Sequence, residues 1–187
     1  NRNEDVFGVS FVSAMIRRRA FHKDKVGPVD PDFFLFYEDV DFCYRAHLHG
    51  YKFRSCPGAI LYHRHGYSFR DEAGGFQRKY YLQKLNLLRT AYKNTEERTF
   101  KRILHNEFGI HRGNLKDPNL KRVSRRIMND FNKSRRSMRR ERQYIQFSRQ
   151  EFDPDLFKYS WGESVFFDAA RNEPVYTTAN LLQSYRR

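Results

Sequence analysis

Three carboxylates and an arginine follow a run of aromatic and aliphatic residues in the first quarter of the chain. The run 33–37 leads directly into Glu38, Asp39 and Asp41, and Arg45 lies one helical turn after Asp41. Charged side chains are rarely fully buried without a partner, so this cluster has either a chemical or a structural purpose. A carboxylate that ends a buried segment beside a second carboxylate can act as a general base.

The same residues also fit the first turn of a helix. Glu38, Asp39 and Asp41 would then complement the positive end of the helix dipole, and Asp41 would pair with Arg45 at i,i+4. Both interpretations hold if Asp41 and Arg45 are structural while Glu38 and Asp39 form a site. The residues alone favour the structural interpretation, because ion-pair networks also gather carboxylates.

The neighbouring segments predict the elements that position this cluster. β-Forming residues predict extended structure over 6–17 and short strands over 51–54 and 59–62, and a Gly-Pro pair predicts a turn within 25–32. Helical spacing predicts a helix over 38–49 that stops at Gly50, and a second helix over 79–93. The cluster would therefore begin a helix that follows a turn.

Composition limits the class of protein. The chain has 187 residues, 39% of them hydrophobic, which suffices for one domain or a domain with an appendage. Cys43 and Cys56 have neither metal-ligand spacing nor a disulfide framework, which predicts free thiols in a reducing compartment. No apolar run approaches the roughly 20 residues of a membrane span, and no secretory leader is visible. The first residue is Asn1 rather than Met, which predicts a fragment or a processed product.

The positive charge is concentrated in one segment. Residues 98–149 contain sixteen Lys/Arg and four Asp/Glu, so they carry +12 of the net charge of +14. A helix is predicted over 119–147, with Leu120, Val123, Ile127 and Phe131 along one side. A solvated helical face is the favoured interpretation, a helix lying on an anionic membrane is second, and a nucleic-acid interface is third and unlikely, since no recognised module is present.

The order of the motifs resembles a known enzyme family. The motifs are Val-Gly-Pro-x-Asp at 26–30, Phe-Phe-x-x-Tyr-Glu-Asp-x-Asp-x-x-x-Arg at 33–45, Gly-Tyr at 50–51, Pro-Gly-Ala at 57–59 and His-x-x-Gly-x-Ser at 63–68. Together they resemble the C-terminal half of the catalytic domain of the family-two inverting glycosyltransferases with a GT-A fold, in the rhamnosyl- and galactofuranosyl-transferase-like branch. The resemblance covers about residues 6–94.

The resemblance implies an α/β fold. The predicted architecture is a partial GT-A, Rossmann-like domain that forms the acceptor-side half, followed by a mainly helical basic extension. The predicted boundaries are 1–94 for the glycosyltransferase half, 95–150 for the basic extension, and 151–187 for an aromatic-rich tail that packs on the domain.

The resemblance also implies roles for individual residues. Asp39 matches the catalytic base that deprotonates an acceptor sugar hydroxyl, and Glu38 matches a residue that orients the acceptor. His63, with His65 as the alternative, matches the histidine that completes a divalent metal site for Mn²⁺ or Mg²⁺. A further set matches the flexible segment that closes over the donor: Gly66, Ser68 and Arg70.

The implied partners are a nucleotide-diphosphate sugar donor and a carbohydrate or lipid-linked acceptor, and the implied location is cytoplasmic, peripheral to the membrane. The sequence departs from the family at Ser13, where Gly is common, and at Leu85-Asn86, where Arg-Asn is common. It has no Gly-rich nucleotide turn and no Asp-x-Asp motif ahead of Gly8, so the chain alone is not expected to bind a nucleotide sugar. The competing hypothesis is a non-catalytic binding module that uses residues 98–149 to contact nucleic acid or an anionic membrane.

Overall fold

Helices dominate the structure. The computed structural model describes residues 4–63, 75–159 and 166, and within these residues helix takes 60% and strand 3%. The helices are α1 (Glu38–Leu48), α2 (Gly75–Asn94), α3 (Glu97–Asn114), α4 (Pro118–Ser137), α5 (Arg139–Ser148) and α6 (Asp153–Leu156), with a short 3-10 helix at Arg18–Phe21. The strands are β1 (Asp5–Val6) and β2 (Phe53–Arg54).

The predicted α/β, Rossmann-like fold is wrong. The sheet of the described residues consists of two antiparallel strands, in which Asp5 faces Arg54 and Val6 faces Phe53. The predicted strand over 59–62 is absent, and the side chains of Ile60, Leu61 and Tyr62 are 76%, 54% and 96% exposed. A strand is stable only when a neighbouring strand pairs with its backbone, and β-forming residues alone do not supply that neighbour.

The two predicted helices around the carboxylate cluster are confirmed. α1 begins at Glu38 and ends at Leu48, and α2 contains the whole predicted range 79–93. Gly50 has φ of 75° and its N–H donates to the carbonyl of His47 at 2.8 Å, which stops α1 as predicted.

In the structure, α4 and α5 occupy the range 119–147, over which one helix was predicted. The Asp117 carboxylate caps α4 by accepting from the N–H of Asn119 at 2.8 Å, and Pro118 takes the first position. Met138 separates the two helices, yet its N–H bonds to Ser134 at 3.1 Å and its carbonyl accepts from Arg142 at 2.9 Å. Because the helical hydrogen bonds cross the junction, α4 and α5 form a nearly continuous helix.

The hydrophobic core lies around α2, which contacts α1, α3, α4 and α5. Leu88, Ile103, Ile127 and Phe131 are fully buried in it. Fully burying one such side chain stabilises the fold by about 1.5–3 kcal/mol. A smaller apolar cluster packs on the other side of α1 and contains Ala20, Val26, Phe42 and Ala46.

Side chains of α5 cover the carboxyl end of α2. Arg142 donates to the carbonyls of Tyr92 and Thr95, and Gln146 donates to those of Lys93 and Asn94 at 3.2 and 3.1 Å. The last carbonyls of a helix have no partner within it, so these contacts satisfy buried backbone groups.

The described part of the tail packs against α1 through one carboxylate. The hydroxyl of Tyr44 donates to Asp153 at 2.5 Å, and Arg149 donates to the same carboxylate at 2.9 Å. The second oxygen of Asp153 accepts from the N–H of Glu96 at 2.7 Å. This contact joins α1, the α2–α3 junction and the start of α6.

Candidate functional site

The backbone that leads into α1 has an unusual conformation. Phe36 and Tyr37 have φ of 67° and 69°, in the left-handed region that favours glycine. Two consecutive residues of this kind cost roughly 1–3 kcal/mol each, and such backbone persists only where its surroundings fix it. Glu38 and Asp39 follow at once, so the two carboxylates lie at the end of a strained segment.

Asn86 of α2 fixes this segment. Its side-chain N–H₂ donates to the carbonyls of Leu35 and Phe36, both at 3.0 Å, and the side chain is 1% exposed. Because both bonds reach backbone atoms, Asn86 restrains the course of the chain rather than one neighbouring side chain. The position of the carboxylate pair relative to α2 therefore depends on Asn86.

Glu38 and Asp39 are both half-buried at the first turn of α1. The pKa of Glu38 lies above its ordinary value, chiefly because burial disfavours the charged carboxylate. A hydrogen bond from its own backbone N–H lowers the pKa, and the charge of Asp39 raises it further. Asp39 accepts from the N–H of Val40 at 2.8 Å. One oxygen of Glu38 is buried without a hydrogen-bond partner within the described ranges. The pair therefore combines a carboxyl of raised pKa with a neighbouring half-buried carboxyl.

Asp41 has a different environment from its two neighbours. It is fully buried, accepts from Arg45 at 2.9 Å and from Asn94 at 2.8 Å, and lies 3.3 Å from the ammonium of Lys93. Burial tends to raise the pKa of Asp41, but the charges of Lys93 and Arg45 outweigh it and hold the pKa below its ordinary value. This confirms the predicted Asp41–Arg45 pair, which leaves Glu38 and Asp39 as the candidate site.

The same ions hold the Gly-Pro turn against α1. Arg45 donates to the carbonyls of Val26 and Pro28, and Lys93 lies 2.5 Å from Asp30. Gly27 has φ of 83°, which a residue with a side chain adopts only with strain. The structure thus brings together the Val-Gly-Pro-x-Asp and Glu-Asp-x-Asp segments.

Sequence reasoning missed Lys93 and assigned no role to Asn86. Lys93 is fully buried, contacts Asp30, Asp41 and Glu141, and lies over the ring of Phe33 at 5.1 Å. The available signal was a polar residue on the predicted inner face of an amphipathic helix. That signal shows that the polar side chain needs a hydrogen-bond or ion-pair partner inside the fold, but it does not identify the partner residue.

The predicted metal and donor residues are only partly covered by the structure. His63 is exposed, whereas His65, Gly66, Ser68 and Arg70 lie outside the described residues. Over 4–63, 75–159 and 166, no group of three or more His, Cys, Asp or Glu side chains could hold a metal ion. The predicted Mn²⁺ or Mg²⁺ site at His63 or His65 stays a prediction.

The apolar side of the basic segment faces inwards. Leu120, Ile127 and Phe131 are at most 1% exposed, and Val123 is 8% exposed. The apolar side chains that the membrane interpretation would place against lipid are therefore part of the core. Among the residues that the structure describes, no helix is long and apolar enough to cross a membrane.

No family model, curated protein sequence or solved structure matches the chain. The likeness to family-two glycosyltransferases consequently depends on the order and spacing of the motifs alone.

Proposed function

We propose that the protein is an inverting glycosyltransferase, with Asp39 as the general base and Glu38 as its partner in binding the acceptor. The observation that carries this proposal is the half-buried Glu38–Asp39 pair at the end of the left-handed Phe36–Tyr37 segment. Strained backbone collects at functional sites, where the surroundings hold reactive groups in place. The reaction class is inferred from the order of the sequence motifs, which resembles that of family-two glycosyltransferases.

In the proposed reaction, a carboxylate oxygen of Asp39 takes the proton of an acceptor hydroxyl. The hydroxyl oxygen attacks the anomeric carbon of the donor from the face opposite the nucleoside diphosphate. The bond from that carbon to the diphosphate breaks, its electron pair leaves with the diphosphate, and the configuration inverts. A positioned base of this kind contributes about 100- to 10,000-fold to the rate.

The contacts of the three carboxylates support Asp39 over Asp41. Both oxygens of Asp41 are engaged by cations and an amide inside the fold, so no acceptor hydroxyl can reach them. Asp39 is half-buried, which leaves it accessible at the surface. Glu38 lies beside Asp39 in the same first turn of α1 and is also half-buried, so its carboxyl can form a hydrogen bond with the acceptor.

The test is Asp39→Asn in the protein that contains this chain. We measure release of nucleoside diphosphate from a panel of UDP- and dTDP-linked sugars in the presence of carbohydrate and lipid-linked acceptors. Loss of the base is expected to lower kcat by about 100- to 10,000-fold and to leave donor binding intact.

Asp24→Asn is the matched control. Asp24 is an exposed carboxylate that pairs with its neighbour Lys25 at 3.5 Å, so its loss is expected to leave turnover unchanged. Near-normal turnover of the Asp39→Asn variant would overturn the assignment of the base. An equal loss in both variants would show that the effect is not specific to Asp39.

A further inference from the structure

The outward face of α4 and α5 carries a continuous exposed stripe. Its members follow one another at intervals of three or four residues, so on a nearly continuous helix they lie within about 40° of one direction. All of them are exposed. The stripe residues are Arg122, Arg126, Asn129, Lys133, Arg136, Arg140, Tyr144 and Phe147.

Among the residues that the structure describes, few acidic side chains compensate the charge of this face. Of the ten Lys/Arg in α4 and α5, Arg135 and Arg142 turn inwards over the rings of Tyr92 and Phe100, and the other eight are exposed. The two acids of these helices are already engaged. Asp130 accepts from Tyr81 at 2.8 Å and from Arg126 at 3.4 Å, and Glu141 lies 2.9 Å from Lys93.

The basic half of the stripe contains a shallow groove. It has a volume of about 360 Å³, and its lining includes Lys121, Arg122, Arg125, Arg126 and Lys133. The guanidinium of Arg126 lies over the ring of Tyr81 there, 4.4 Å from its centroid. Five cationic side chains around one groove match a phosphate headgroup in charge and in hydrogen-bonding capacity.

The other end of the stripe is aromatic. Tyr144 is 57% exposed and Phe147 is 92% exposed. A phenylalanine ring at the end of a charged helix face has no hydrogen bond to make with water, and it is stabilised when it enters an apolar phase.

We propose that this stripe binds the surface of an anionic phospholipid membrane, with the helix lying flat and its cations on the headgroups. From Arg122 to Phe147 the stripe is about 38 Å long at 1.5 Å per residue, so the cations contact many lipids at once while Phe147 enters the interfacial layer. In proteins that bind single-stranded nucleic acid, the aromatic residues that stack on bases lie among the cations that contact phosphates. Here the aromatic residues lie at one end of the stripe, apart from the cations, which favours lipid as the partner. The proposal is independent of the proposed enzymatic activity.

The test is binding of the protein to vesicles of equal parts phosphatidylcholine and phosphatidylserine, compared with phosphatidylcholine alone. Each cation near an anionic surface strengthens binding about fivefold. The triple variant Arg122→Gln, Arg136→Gln, Arg140→Gln is therefore expected to weaken partitioning onto the phosphatidylserine vesicles on the order of 100-fold. All three side chains are exposed, so the fold is retained, which circular dichroism verifies.

A control variant removes the same charge from α3. It replaces Arg98, Lys101 and Arg112 by Gln, all three exposed, and its partitioning is expected to change only a few-fold. Equal losses in the two triple variants would overturn the proposal, because net charge rather than the stripe would then account for binding.

Phe147→Gln tests the aromatic end. It is expected to weaken partitioning about tenfold, whereas Met15→Gln, at a residue that is fully exposed elsewhere, leaves it unchanged.

Equal binding to the two kinds of vesicle would contradict the proposal. So would salt-sensitive binding to duplex RNA or DNA that the stripe variant abolishes while vesicle binding is unaffected.

Discussion

At the scale of single residues, Asn86 determines where the carboxylate pair lies. Asn86→Ala removes both hydrogen bonds to the left-handed segment and leaves the carbonyls of Leu35 and Phe36 without those donors. We expect the free energy of unfolding to fall by about 1–3 kcal/mol, measured by urea denaturation. We also expect a loss of transfer activity larger than the loss of folded protein explains.

Asn106→Ala is the matched control, because Asn106 is exposed on α3. That change is expected to alter stability by less than about 0.5 kcal/mol. If Asn86→Ala is equally neutral, Asn86 does not hold the segment.

Residue pairs within one helix could be predicted from the sequence, and pairs between helices could not. Asp41 and Arg45 were predicted because the i,i+4 rule is local. Asn94 and Lys93, which complete the environment of Asp41, lie more than 50 positions further along the chain. Their contact depends on how α1 packs against α2, and no local rule gives that packing.

At the scale of elements, the ammonium of Lys93 links α2 to α1, to the Gly-Pro turn and to α5. Lys93→Met leaves Asp30, Asp41 and Glu141 with mutual repulsion and without their shared cation. Removing one partner of a buried ion group typically costs 3–5 kcal/mol, and we expect a loss of about that size in urea denaturation.

Lys101→Met provides the comparison for an exposed lysine. Lys101 makes a surface pair with Glu97 at 3.5 Å, so its loss is expected to cost at most about 0.5 kcal/mol. The double variant Lys93→Met, Asp41→Asn is expected to recover part of the stability lost in the single variant. A Lys93→Met protein as stable as the parent would refute the central role of this ion.

Helices were better predicted than strands, for a physical reason. α1 and α2 have apolar side chains at helical spacing and clear stop signals, and both features act within a few residues. The residues at 59–62 are β-forming, but a strand also needs a partner, and β1–β2 is the ladder present in the described ranges. The fold class was therefore wrong while the helices around the site were right.

At the scale of the whole molecule, buried His111 predicts sensitivity to acid. His111 is fully buried, its Nδ1 lies 3.3 Å from the hydroxyl of Ser124, and burial together with the charge of Lys84 lowers its pKa to about 3. An unfolded histidine has a pKa near 6.5, so between about pH 6.5 and 3 the unfolded chain binds a proton that the folded chain does not. Stability should therefore fall with falling pH, by up to about 1.4 kcal/mol per pH unit from this residue.

The measurement is the free energy of unfolding by urea at a series of pH values. His111→Gln is expected to flatten the dependence between pH 6 and 4, whereas His105→Gln, at an exposed position of α3, is expected to leave it unchanged. His47 also has a pKa lowered by burial, so some slope remains in the His111→Gln variant. Identical slopes in the parent and the His111→Gln variant would exclude the proposed cause.

The core extends across the boundary predicted at residue 94. Leu88 of α2, Ile103 of α3 and Ile127 of α4 belong to one hydrophobic cluster, and Leu156 and Phe166 from beyond α5 join it. The amphipathic pattern over 119–147 predicted which side of that helix is apolar. It could not predict which surface that side would contact.

The cover that α5 provides for the end of α2 has a consequence for synthesis on the ribosome. The carbonyls of Tyr92 and Lys93 accept hydrogen bonds from Arg142 and Gln146, which are added to the chain about 50 residues later. At 5–20 residues per second this interval lasts roughly 3–10 s. During that time the last turn of α2 lacks the side chains that complete its hydrogen bonds in the folded protein, so it is expected to fray more readily than the middle of the helix.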